Sequence, residues 1–204
     1  MVALSLPGDR RQIDWGFASR PFPGEPVSGD LHVCVELADA IVLAVIDGLG
    51  HGSGAAEVAR IAAATVKGRA SEPLSQIMRE CHTALRRSRG VVLTVTRIGH
   101  DGTLTWLGVG NVSGILWRRS ERGFALSSRA PLGRGVLGSH VPALREERIR
   151  LQDDDLVVLC SDGIADPELW LPTLGSAAGT AEAILEHARE NDDALVLVAR
   201  YAGP

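Results

Sequence analysis

A chain of 204 residues, 45% hydrophobic and 23% charged, has the make-up of a globular domain large enough to bury a core. Its formal charge of −4 sets it apart from nucleic-acid-binding modules, which carry a basic surplus. No run approaches the ~18 apolar residues of a membrane-spanning helix, and the opening Met-Val-Ala-Leu-Ser-Leu-Pro-Gly-Asp-Arg-Arg lacks the charged head and apolar stretch of a signal peptide. The three cysteines, Cys34, Cys81 and Cys160, are widely spaced within apolar patterns and read as free thiols of a reducing compartment. The expectation is a single domain over residues 1–204, cytoplasmic and monomeric, with neither nucleic acid nor membrane as partner.

Residues 14–20 read as a first strand, followed by a Pro/Gly loop over 21–26 and then Ser28-Gly29-Asp30. Leu31, Val33, Val35 and Leu37 alternate with His32, Cys34 and Glu36, the period of a half-buried strand. After a short break at Ala38-Asp39-Ala40 come the seven apolar residues 40–46, too few for an ordinary helix and suited to a strand buried on both faces. A turn centred near 38–39 sets Asp30 opposite Asp47 or Gly48, because paired residue numbers keep a constant sum. Past Asp47 the backbone carries Gly48, Gly50, Gly52 and Gly54, and a helix over 52–68 presents Ala55, Val58, Ala59, Ala62 and Val66 on one face.

A carboxylate at the end of a core strand, beside bare backbone and a helix N-terminus, has three readings. It can be a plain turn, a dinucleotide site, or a metal site. The second wants a strand ending in an acidic residue about 20 positions on, and residues 67–73 (Lys-Gly-Arg-Ala-Ser-Glu-Pro) offer none. The third needs further carboxylates brought to the same place.

A second helix follows, with Ser71 as its cap, Pro73 in its first turn and Leu74, Ile77, Met78, Cys81 and Leu85 on one face. The two helices are expected side by side on one face of the sheet. Residues 91–98, 103–109, 112–118 and 124–128 then read as an antiparallel meander with turns at His100-Asp101-Gly102, Gly110-Asn111 and Glu121-Arg122-Gly123. A Gly/Pro-rich connection over 129–143 leads to a charged edge strand, 145–151, and a buried strand, 156–160. That strand closes on Ser161-Asp162-Gly163, a second Asp-Gly after a core strand. Residues 163–170 read as a short helix, and Thr180 caps a longer one with Ala181, Ile184, Leu185 and Ala188 inward. Asn191-Asp192-Asp193 precede a last strand, 194–201. If that strand runs antiparallel to those ending at Asp47 and Asp162, Asp192 joins them.

Asp30, Asp47, Asp162 and Asp192 at one end of a sheet repel one another, and only bound cations would let all four ionise in a partly dry cleft. An oxygen-only set with glycine carbonyls nearby suits Mg2+ or Mn2+ and not zinc. Two such ions ~3.5–4 Å apart are a device for phosphoester hydrolysis. No Ser-His-Asp, nucleophilic Cys or P-loop pattern competes.

Ser28-Gly29-Asp30, Asp47-Gly48-Leu49-Gly50-His51-Gly52, Asn111, Pro131-Leu132-Gly133, Ser161-Asp162-Gly163 and Asp192-Asp193 together resemble, in order and spacing, the metal-dependent protein phosphatases of the 2C type. The nearest branch is the bacterial one that includes sporulation and sigma-factor regulatory serine phosphatases. The resemblance covers nearly the whole chain and implies an α+β fold of four layers, αββα, with two antiparallel sheets between helix pairs. It implies two Mn2+ or Mg2+ ions, with Asp47 bridging both, the Gly48 carbonyl completing one site, and Asp162 and Asp192 holding the second. Asp30 would act through water or as a direct ligand, and Asp30 and Asp47 would carry the catalysis. The implied substrates are phosphoserine and phosphothreonine on stress-signalling proteins, scaffolds or antagonists of the stressosome type. In extent the chain is similar to a stressosome serine phosphatase that is a bare catalytic domain with no sensor module.

The sequence departs from the family in three places. Leu49 stands where large eukaryotic members have a His proposed as general acid, so His51 is read as structural and water as the proton donor to the leaving serine. Leu195 replaces a common Thr or Ser. The phosphate-binding Arg of eukaryotic members has no aligned equivalent, and Arg20 is the candidate. Two other functions compete: a catalytically silent binding module on the same fold, and nucleotide-dependent redox chemistry, which the missing ribose-binding acid disfavours.

Overall fold

The computed structural model describes residues 13–121, 123–170, 172 and 175–203. The first two strands are β1 (Ile13–Arg20) and β2 (Asp30–Glu36). Along β3 (Ala40–Gly48), Val42, Ala44 and Ile46 point to one side and Ile41, Leu43 and Val45 to the other, and all six are buried. The even set packs on helices α1 (Gly52–Gly68) and α2 (Leu74–Ala84) through Val58, Ala62, Val66, Ile77 and Met78. The odd set meets Leu195, Leu197 and Ala199 of β11 (Ala194–Tyr201), the last strand. On the far side of β11, Ala194, Val196 and Val198 pack with Ala181 and Ile184 of α3 (Ala177–Leu185). Three apolar seams thus separate four layers, helix, sheet, sheet and helix, which is the α+β sandwich that the resemblance implies.

The remaining strands are β4 (Val91–Gly99), β5 (Thr103–Val109), β6 (Ser113–Ser120), β7 (Gly123–Arg129), β8 (Leu132–Gly133), β9 (Glu147–Arg150) and β10 (Leu156–Cys160). One sheet has the order β1-β11-β10-β6-β7 and is antiparallel throughout. The other runs β2-β3-β4-β5-β8, with β9 also on β5. Here the two-residue β8 lies parallel to β5, so this sheet is not wholly antiparallel.

The expected meander is broken between β5 and β6. At Gly110-Asn111 the chain leaves one sheet for the other instead of making a hairpin. Gly110 has φ +97°, and a Cβ there would lie 2.2 Å from Val92 Cγ1, so the step needs a residue without a side chain. Of the expected helix pairs, α1 and α2 form one; among the described residues the outer layer on the other sheet holds α3 and, within residues 163–170, a 3-10 turn at Pro167–Leu169. Two caps also differ. Pro73, not Ser71, is the N-cap residue of α2, and the α3 cap is Ser176, whose Oγ accepts from the Gly179 amide at 3.1 Å. Thr180 therefore sits one turn inside α3, its hydroxyl donating to the Ser176 carbonyl at 3.1 Å.

Cys34, Cys81 and Cys160 are free thiols, and burial pushes Cys81 and Cys160 up to about 12. Among the described residues no helix is long and apolar enough to cross a membrane.

The second sheet's helix is docked by backbone contact. A Cβ on Gly16 of β1 would lie 2.5 Å from both the Ala178 N and Cα atoms in α3. Gly16→Ala should therefore lower stability by about 1–3 kcal/mol by forcing α3 outward, seen as a lower urea midpoint with far-UV circular dichroism retained. A midpoint equal to the parent's would show that α3 is not held by this contact.

Candidate active site

The β2–β3 turn is tight, with the Leu37 amide donating to the Ala40 carbonyl at 2.7 Å, and the ladder then pairs Asp30 with Asp47. Asp47 continues the odd-numbered face of β3, so the pair opens into the space between the sheets, at their end. Glycine makes the surrounding approaches possible. A Cβ on Gly48 would lie 2.2 Å from the Ala55 carbonyl oxygen of α1. One on Gly163 would lie 1.9 Å from the Asp193 carbonyl oxygen, so the Asp162 turn rests directly on the backbone of the Asp192-Asp193 pair. Ser161 ties the same strand ends together: its amide donates to the Leu195 carbonyl at 3.0 Å and its Oγ accepts from the Leu195 amide at 2.9 Å. Two Asp-Gly turns, one hairpin and one acidic doublet thus meet at one mouth.

That mouth is a cleft of about 570 Å3, and Asp47, Asp162 and Asp192 all line it. Asp30 lies beneath at 4% exposure, and its Oδ2 has no hydrogen-bond partner. Asp193 is 5% exposed; its Oδ1 accepts from the Phe22 amide at 2.8 Å, while Oδ2 is likewise unpartnered. Burial, and then the neighbouring charges of Asp30, Asp162, Asp192 and Asp193, push the Asp47 carboxyl up to about 8. Burial also raises Asp30 to about 7; a hydrogen bond with Ser161 opposes this, and Asp193, Asp162 and Asp192 add to it. Asp192 is raised by burial and by Asp162.

Hard, oxygen-only donors with two unpartnered buried carboxylate oxygens fit a divalent cation, and Gly48 could add its carbonyl. Among the described residues no three His, Cys, Asp or Glu side chains are already gathered tightly enough to cage one ion. Mutual repulsion of bare carboxylates opposes such gathering.

Several further residues surround the clustered aspartates. Asn111, at the step between the sheets, donates its Nδ2 to Asp162 Oδ2 at 2.6 Å and so orients that carboxylate. Arg20 donates to the Arg189 carbonyl and is not among the residues lining the cleft, whereas Arg134 is. His51 lines the cleft, stacks on Phe22 at 4.6 Å between ring centroids, and places Nδ1 2.9 Å from Glu25 Oε1. Asp193 is marked in the sequence only as the second half of an acidic doublet, yet it is the more buried of the two and fastens the loop that carries Phe22.

Stacked sheets between helices, with aspartates at their shared mouth, are the architecture of the PP2C-type serine/threonine phosphatases. The family model for stage II sporulation protein E matches residues 38–202, and the chain belongs to that family. It is 31% identical over 102 residues to the phosphoserine phosphatase RsbX of Bacillus subtilis (strain 168), an alignment covering 50% of this chain and 51% of that one. The match thus spans about half the length of this relative. RsbX in complex with magnesium superposes with a TM-score of 0.79 at 22% identity, covering 93% of this chain and 96% of that one. A structure described under the bacterial stressosome, a modular system adapted to control secondary messenger signaling, reaches a TM-score of 0.83 at 31% identity over 93% of this chain and 100% of that chain. The catalytic domain of the phosphatase PstP with two manganese ions shares the fold at 0.66 and 18% identity, covering 94% and 99% of the two chains.

Because the folded-state values of Asp30 and Asp47 lie above 3.8, their contribution to stability is full below that pH and is lost as pH rises through about 7 and 8. Asp47→Asn removes one of the repelling charges, so the metal-free variant should melt about 2–6 °C above the parent at pH 8. Added Mn2+ should raise the parent's melting temperature and leave the variant's almost unmoved. A variant that melts lower than the metal-free parent would contradict this account of the cluster.

Proposed function

We propose that the chain is a metal-dependent protein serine/threonine phosphatase acting on phosphorylated stress-signalling proteins, scaffolds or antagonists of the stressosome type. The observation that carries the reading is the convergence of Asp47, Asp162 and Asp192 on one cleft above a buried Asp30 with a free carboxylate oxygen. Membership of the stage II sporulation protein E family and the likeness to RsbX support the phosphoserine chemistry and the kind of partner.

Asp47 and the Gly48 carbonyl would hold one Mn2+ or Mg2+ ion, and Asp47, Asp162 and Asp192 a second, with Asp30 contributing through water or directly. Bound there, such a pair lowers the pKa of water and neutralises phosphoryl oxygens. The protein's own part is positioning. Asn111 fixes the Asp162 carboxylate, the glycine contacts fix the strand ends, and the open cleft admits a phosphorylated side chain. With Leu49 beside Gly48 there is no imidazole directly after the Asp-Gly pair, and solvent in the open cleft is the proton donor to the leaving serine oxygen.

A silent binding module on the same fold is the second reading. A Mn2+-dependent assay on p-nitrophenyl phosphate and on a phosphoserine peptide separates the two. Turnover abolished by EDTA and reduced on the order of 10²–10³-fold by Asp47→Ala is expected. Turnover no greater than that of the Asp47→Ala control would leave the binding module standing.

A further inference from the structure

The acidic cleft has an apolar side. Leu49, Val92 and Val136 line it together with Asp47, Asp162 and Asp192. They come from three segments, the turn after β3, strand β4 and the stretch after β8, and backbone bonds bring them to one place. The Leu49 amide donates to the Gly90 carbonyl at 3.2 Å, and Arg89 donates to the Leu49 carbonyl at 3.1 Å. Val91 and Leu137, the chain neighbours of Val92 and Val136, exchange two backbone bonds of 3.1 and 2.9 Å. The Val136 amide donates to the His140 carbonyl at 3.0 Å. All three side chains pack with the seam between the sheets. Val92 is 6% exposed, whereas Leu49 and Val136 are only partly buried and keep apolar surface open to the cleft.

This shelf stands beside the central carboxylate. Val92 is the ladder partner of Asp47, and directly opposed residues of an antiparallel pair share a face with Cβ atoms about 5 Å apart. Neither a divalent cation nor a phosphoryl group uses such a surface, because both are held by oxygen and nitrogen groups. The serine of a phosphoserine brings a single methylene. Adjoining apolar side chains left open in a cleft that also holds a few polar groups are the usual form of a site for an apolar group.

Consecutive residues of an extended chain are ~3.3–3.6 Å apart. A residue that reaches the shelf from a phosphoserine seated at Asp47 is therefore one or two positions away. We infer that Leu49, Val92 and Val136 receive an apolar side chain one or two residues from the phosphoserine, so that the protein selects phosphoproteins that carry one there. This rests on the phosphatase reading for the seat of the phosphoryl group, and binding measurements separate the two.

The test is a set of glycine-flanked phosphoserine peptides with a single Leu at each of the two positions before and after the phosphoserine. Phosphate release by the Mn2+-loaded protein is measured for each. Fluorescence anisotropy gives the affinity of the matching peptides with a non-hydrolysable phosphonate in place of the phosphate. At least one Leu placement should raise kcat/KM by about 5- to 20-fold over the all-glycine peptide, chiefly through KM, and tighten the phosphonate peptide by a similar factor. Leu49→Asn and Val136→Thr should each remove most of that gain while leaving turnover of the all-glycine peptide within about twofold of the parent. Equal kinetics and affinity at every Leu position would overturn the inference without any variant being needed. So would a gain that survives both substitutions, a peptide with plain serine that binds as tightly, or a failure of every peptide to bind. Tighter binding of a Leu-bearing phosphonate with no turnover of any peptide would uphold the shelf and remove the phosphatase reading.

Discussion

Two carboxylates facing each other across a β-ladder are the constraint around which this molecule is arranged. Like charges directly opposite destabilise a sheet, and Asp30 and Asp47 are also largely withdrawn from water. An apolar pair would hold the β2–β3 hairpin better. The fold keeps the aspartates because three apolar seams fasten the layers, so the mouth between the sheets need not supply most of the stability. Val92 shows where the boundary lies: paired with Asp47 in the ladder, it belongs to the seam between the sheets and also lines the cleft.

The geometry that gathers the aspartates is made by glycine more than by any polar contact. Gly48 lets α1 close on the end of β3, and Gly163 lets the Asp162 turn touch the Asp193 backbone, each at distances no Cβ would allow. Such contacts are short-range and all-or-none. The apolar seams, by contrast, accept many combinations of residues of similar volume. This is why solved relatives of low identity can share the whole sandwich while the chemistry of the site depends on a few bare backbone positions.

Much of this was legible from the residues alone, for a definite reason. Period-2 alternation and a short turn, two local features, left Asp47 or Gly48 as the partner of Asp30, and the ladder takes Asp47. Asp162 and Asp192 followed from the rule that antiparallel neighbours put one strand's end beside the other's start, and β10 and β11 obey it. What escaped was decided by contacts distant in sequence. Gly110-Asn111 reads equally well as a hairpin turn or a step between sheets, and only the sheet packing chooses. Ser176 and Thr180 are both capping residue types four positions apart, and the Gly179 amide settles on the first. Arg134 lines the cleft and Arg20 does not, and no local pattern reports that.

The acidic doublet shows how one strand start can serve two purposes. Successive residues entering β11 point to opposite sides, so Asp192 faces the cleft while Asp193 is buried, beside Gly29 and against the Phe22 amide. Phe22 in turn stacks on His51, whose imidazole is held by Glu25 of the same loop. The loop between β1 and β2 is therefore anchored at a carboxylate next to the site and lies against the turn that follows Asp47. A wall of the cleft is thus built from a segment that supplies none of the clustered carboxylates itself. Its place is set by Asp193, which explains why an aspartate outside the cleft lining belongs to the same constellation as those within it.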